Sequence, residues 1–169
     1  MVKKTSIVAL VAAIVGVAAI APAQGMMDAH KPTGLSARIG VFFPTDSAAG
    51  RTGWFAIGMD YRIAEVMSGM NRDSYSVSLD YAGHNNFRTV PLLVNATRHM
   101  GQVYITGGLG VSFSKRPVGL NTESKTEFAY TAGIGYEFQG ELPIFVEARY
   151  LGNGRSELSG AVLSAGFRF

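Results

Sequence analysis

The sequence predicts an all-β chain folded as an eight-stranded antiparallel up-and-down transmembrane β-barrel. Three observations carry that expectation. Apolar side chains recur at every second residue through eight separate stretches, the period of a strand with one greasy face. Charges inside those stretches fall on the opposite parity. Aromatic residues gather at the ends of the greasy faces and leave the middles to Ile, Val, Leu, Ala and Met, as in a wall that meets hydrocarbon between two interfaces.

A segment with different physics precedes the barrel. Lys3-Lys4 lead into an apolar run from Ile7 to Ile20, shorter than the roughly 20 residues a spanning helix needs. Ala21-Pro22-Ala23 follows as a small-x-small site. This predicts a cleavable signal peptide over residues 1–23, a periplasmic lead-in over 24–33 and a barrel domain over 34–169. An exported chain with no further apolar helix is periplasmic, secreted, or a barrel in the outer membrane.

The first strand is Leu35–Phe43, with Ile39, Val41 and Phe43 on its greasy face and Ser36, Arg38 and Gly40 opposite. A turn-rich loop leads to Trp54–Ile63, where Phe55, Ile57, Met59 and Tyr61 oppose Asp60 and Arg62. Residues 64–73 read either as a loose turn or as strands extending toward Ser68-Gly69. Ser74–Ala82 sets Tyr75, Val77, Leu79 and Tyr81 against Ser76, Ser78 and Asp80. The fourth strand, Thr89–Thr97, has a mixed second face containing Pro91 and Leu93. Gln102–Phe113 carries Gly107, Gly108 and Gly110. Residues 114–127 are expected to form the longest loop. Phe128–Phe138 and Ile144–Tyr150 alternate cleanly, with Glu137, Glu147 and Arg149 on the polar side. The last strand runs from Ala161 to Phe169, with Arg168 on its polar side. Such a strand would leave an aggregation-prone edge in an open sheet, and closure removes that edge.

Composition narrows the function classes. The 169 residues are 47% hydrophobic and 16% charged, with 21 Gly and no Cys. Zero Cys excludes a disulfide framework, thiolate metal ligands and a Cys nucleophile. Without Lys3 and Lys4, acids and bases nearly balance, so nucleic-acid binding has no electrostatic footprint. The polar parity collects Arg38, Asp60, Arg62, Asp80, Glu137, Glu147, Arg149 and Arg168, four bases and four acids. An eight-stranded barrel is only wide enough for side chains to fill, and buried charges must pair. These eight residues are therefore the expected lumen charge network. Arg98 is the exception in parity, placed where a long side chain can snorkel to an interface.

The stretches Gly58-Met59-Asp60-Tyr61, Val90-Pro91-Leu92, Gly107-Gly108-Leu109-Gly110-Val111, Phe145-Val146-Glu147-Ala148-Arg149-Tyr150 and Gly166-Phe167-Arg168-Phe169, taken in order and spacing, resemble the small eight-stranded outer membrane β-barrel proteins. These are the outer membrane protein β-barrel domain family, of the OmpX and OmpA transmembrane-domain type. The resemblance implies location in the cell outer membrane, contact with outer membrane lipids and lipopolysaccharide, and a monomer. It also implies insertion by the barrel assembly machinery through an assembly signal ending at Phe169. It implies no single activity. Unlike the OmpA type, no periplasmic domain is expected after the barrel; unlike the OmpX type, the outer loops are expected to be modest.

No catalytic, cofactor or metal site is expected. Deacylases of similar barrel size use a His-x-Ser pair near the barrel's end, whereas Tyr150–Ser156 contains no His. His30, His84 and His99 lie outside the predicted strands, giving neither a Ser–His relay nor a metal-ligand cluster. Gly107-Gly108-x-Gly110 sits within a strand with no helix after it, so it lacks phosphate-loop geometry. Lys115, Arg116 and Lys125 could meet lipopolysaccharide phosphates; an ordinary solvated loop is the plainer reading. The expected function is a porin-like outer membrane barrel with a filled lumen and a non-enzymatic structural or interaction role at the cell envelope. The alternatives are a narrow pore or hydrophobic-solute channel, and a soluble periplasmic lipocalin-like binder with its apolar faces turned inward.

Overall fold

Alternating sequence makes strands, and strands with one greasy face need either a second layer or closure. This chain closes. A computed structural model describes residues 34–46, 52–68, 71–118, 121–138, 143–154 and 156–169; the expected signal peptide and lead-in lie outside them. The strands are β1 (Leu35–Pro44), β2 (Trp54–Ser68), β3 (Asn71–His84), β4 (Phe87–Met100), β5 (Val103–Val118), β6 (Asn121–Glu137), β7 (Ile144–Asn153) and β8 (Gly160–Arg168). Each pairs antiparallel with its sequence neighbours, and β1 pairs with β8, giving a closed up-and-down barrel. The start of β1 and the finish of β8 meet at one end, here the near end, where Ser36 opposes Arg168. The opposite rim, where Phe42 faces Trp54 and Val162, is the far end.

Two connections differ from the sequence reading. Residues 114–118 and 121–127 are strand, not loop. β5 and β6 run 16 and 17 residues, with Arg116 opposite Glu123 and Val118 opposite Asn121. The ladder of β5 with β4 stops at Lys115, and that of β6 with β7 at Ala129. The hairpin therefore stands above its neighbours at the far end, which also corrects the expectation of modest outer connections. At the near end, the ladder of β2 with β3 reaches Ser68 opposite Asn71, so the strands extend into the region left open by the sequence from both sides.

The side chains are sorted inside out relative to a soluble protein. Ile39, Ile57, Val94, Leu109, Ile134 and Leu163 are each about half exposed on the outer wall. Aromatics bound that wall: Phe43, Phe55, Tyr81, Phe128 and Tyr150 toward the far end, Tyr75, Tyr136, Phe138 and Phe167 toward the near end. Buried positions inside are held by Ser, Thr, Asn, Arg and Glu together with a limited apolar cluster. A greasy outer wall with a polar interior suits a hydrocarbon solvent. The lipocalin-like alternative required apolar faces turned inward, and the wall has the opposite orientation.

Candidate functional site: the barrel interior

The interior is filled in two layers of different chemistry. In the far layer, Phe42 and Trp54 are inward neighbours across the β1–β2 ladder, with ring centroids 5.1 Å apart. Phe87 stacks on Trp54 at 5.9 Å. Leu93, Ala129, Leu151 and Leu158 complete this buried cluster. Leu158 is brought there by a single 3-10 turn, Ser156–Leu158. That turn is tied down by Asn153 Nδ2 donating to the Leu158 carbonyl at 3.2 Å, and by Arg116 Nη1 donating to Glu157 at 2.8 Å.

The near layer is ionic. Arg38 bonds both Asp60 and Asp80, so one guanidinium serves carboxylates from two strands. Arg149 pairs with Glu147 and lies 3.8 Å from Asp60. The Tyr104 hydroxyl donates to Glu147 Oε2 at 3.0 Å. Toward the near rim a second group centres on Glu137, which accepts from Arg168 at 2.9 Å and lies 3.5 Å from both Arg72 and His99. Tyr104 joins the two groups. Its ring lies beneath the Arg168 guanidinium at 5.6 Å and against His99 at 5.3 Å. Arg and carboxylate are suited to such a site because a planar fork can bond two acceptors at once.

Glycine supplies the room. A Cβ on Gly58 would collide with the Asp80 carboxylate and the Arg38 guanidinium, and one on Gly135 with the Tyr104 ring. Hydroxyls and an amide occupy further inward positions. Thr89 and Ser112 are 2.7 Å apart, Asn95 donates to Ser78 at 2.8 Å, and Thr97 donates to Thr106 at 2.9 Å. Among the described residues, cavities of about 30 and 40 Å³ lie in the interior, with Arg149 on the wall of both. Each is room for one or two waters.

Seven of the eight charges expected in the lumen thus take part in the two ionic groups: Arg38, Asp60, Asp80, Glu147 and Arg149 in one, Glu137 and Arg168 in the other. Arg62 pairs instead with Glu65 at 2.6 Å nearer the rim, on the wall of the same cavity as Arg149 and Arg168. The sequence reading missed Tyr104, Arg72 and His99. It placed His99 outside the strands, whereas His99 lies within β4 and is buried. Counting by twos from Asn95 and Thr97 puts His99 on the inward parity, so extending the strand would have found it. Arg98, the parity exception, makes a two-pronged bond to Asp73 at 2.7 and 2.8 Å.

Among the described residues no group of His, Cys, Asp and Glu is placed to hold a metal ion. No family model and no curated protein matches the chain. Solved structures do. The outer membrane enzyme PagL aligns over 80% of this chain and 97% of its own, with a TM-score of 0.51 and 16% identity. That likeness, on a closed meander of eight strands, decides the class. The fold is that of the small outer membrane barrels. Also similar are Ail from Yersinia pestis (80% and 98% of the two chains, TM-score 0.49, 17% identity) and the N-terminal barrel domain of Pseudomonas aeruginosa OprF (82% and 100%, TM-score 0.48, 15% identity).

Proposed function

We propose that this chain is a closed, non-conducting barrel of the cell outer membrane, with a non-enzymatic structural or interaction role at the envelope. The observation that carries the reading is the double filling of the lumen: an apolar cluster behind the far rim and paired ions behind the near one. A solute entering would have to part Phe42 from Trp54 and then part Arg38 from its two carboxylates. The outer wall supports the membrane placement, because a charge at mid-bilayer costs roughly 2–4 kcal/mol and the lipid-facing middles are aliphatic. The near end, where the start of β1 meets the finish of β8, is the end we place toward the periplasm. The wall itself closes strand to strand, which favours a monomer.

Purified barrel in planar bilayers should leave the baseline current unchanged. Discrete steps would overturn the closed reading and restore the narrow pore or hydrophobic-solute channel. The barrel should sediment with outer membranes and migrate differently in boiled and unboiled gels. Phe169 packs edge-on against Phe167 at 4.6 Å and is exposed on the wall, which suits recognition by the barrel assembly machinery. Its deletion should lower the assembled fraction without altering the fold of what does assemble, measured as the heat-modifiable band against total protein.

A further inference from the structure

Straightening residues 114–127 into strands sorts the basic residues of that hairpin by face. Arg116 and Lys125 take the inward parity and are neutralised there: Arg116 bonds Glu157 at 2.8 Å, and Lys125 pairs with Glu123 at 3.0 Å. Lys115 takes the outward parity. Its register partner on β4 is Arg88, next to Val90 opposite Phe113 on the same outer face. Two cations stand directly across a ladder, with Cβ atoms about 5 Å apart. Like charges so placed repel, and among the described residues neither has an ion pair. The outer-face positions that flank them in register are Gly83 on β3 and Ser124 on β6, neither charged. A third donor is close: the Tyr81 ring folds over Gly83, so that a Cβ there would meet the phenol oxygen at 2.5 Å, and Gly83 is the partner of Arg88.

Height selects the ligand. Lys115 lies two residues beyond Phe113 on the outer face, and the aromatic girdle at this end includes Phe55, Tyr81 and Phe128. Two residues of strand rise about 7 Å, which lifts the cations from the hydrocarbon boundary to the headgroup layer. A phosphate is the group that accepts from a guanidinium, an ammonium and a phenol together and removes their repulsion.

We infer that Arg88 and Lys115, assisted by Tyr81, form an outward-facing site for the phosphate of a lipid headgroup in the leaflet around the far end, the phosphorylated glycolipid of the outer surface. This rests on the membrane placement proposed above and moves the lipid contact from the hairpin's three bases to a cross-strand pair.

The test uses the whole barrel refolded in phosphatidylcholine nanodiscs, with added lipid A, dephosphorylated lipid A or inorganic phosphate, read by native mass spectrometry and by amide shifts of residues 81–90 and 111–117. Lipid A should bind, and R88Q/K115Q should weaken it at least tenfold. The inward-facing control R116Q/K125Q should bind as the unaltered chain does. Because the outer pair makes no bond in the barrel, R88Q/K115Q should keep heat-modifiable migration. K115E should raise the denaturant midpoint by creating an Arg88–Glu attraction, while abolishing binding. Unchanged affinity in R88Q/K115Q, or equal binding of the dephosphorylated lipid, overturns the site. Shifts with inorganic phosphate that match those with lipid A overturn the lipid source. A chain that never enters nanodiscs fails the membrane reading instead, and is recognised by the absence of heat-modifiable migration.

Discussion

At the far end Phe42, Trp54 and Leu93 fill the barrel by surface contact, whereas at the near end Arg38, Tyr104 and Glu137 fill it by paired charge. The two regions share a wall of the same width and respond differently to damage. Dispersion and burial are graded, so an apolar cluster loses stability in proportion to the volume removed. Buried ions are not graded, because removing one leaves its partners charged, desolvated and unpaired. The apolar layer should therefore accept conservative exchange, and the ionic layer should not.

The largest effect separates them most clearly. Arg38→Ala leaves Asp60 and Asp80 facing each other and should cost about 3–5 kcal/mol, read from the urea midpoint of the heat-modifiable band. Arg38→Lys should recover only part of that, since an ammonium lacks the fork that reaches both carboxylates. A loss below about 1 kcal/mol in Arg38→Ala would show that the ions do not hold the near end. Next, Trp54→Ala should cost about 3 kcal/mol and Trp54→Phe less than about 1.5 kcal/mol; equal losses would break the graded picture. The R38A/W54A double variant should lose the sum to within about 0.5 kcal/mol if the layers are independent. Tyr104→Phe sharpens the near side by keeping the ring beneath Arg168 while deleting the bond to Glu147, for about 1.5 kcal/mol. Smallest is Thr97→Val, which leaves the Thr106 hydroxyl without its 2.9 Å partner and should cost about 0.5–1 kcal/mol in the same urea measurement.

Most of the architecture was legible because the membrane constrains it one residue at a time. Wherever the wall meets hydrocarbon, Ile39, Ile57, Leu109 and their like must alternate with something else. The β5–β6 hairpin above Lys115 escaped that reading for the same reason. Water meets both of its faces, so the sequence there carries no alternation, and what makes 116–118 and 121–123 strand is the register from Arg116–Glu123 up to Val118–Asn121. The ionic layer was legible as parity, since Arg38, Asp60 and Asp80 could point only inward. Its joining residue was not. Tyr104 stands on the inward parity between Val103 and Ile105, but nothing in the sequence shows the space that Gly135 leaves for its ring. Nor was the far layer visible: Phe42, Trp54 and Leu93 are apolar residues on the polar parity, and their only trace was the mixed second face of the fourth strand.

The bulge in β2 has a consequence of its own. The β2–β3 register shifts between Arg62 and Ala64, skipping Ile63. Residues three apart on a regular strand point to opposite sides, yet Arg62 and Glu65 bond each other. The inserted residue resets the count, turning Glu65 to the same side as Arg62 and sending Ala64 and Val66 outward with Tyr75. Drawing Ile63 into a regular ladder would undo that rotation and swing a carboxylate toward the greasy rim, so one irregular position decides on which side of the wall this acid resides.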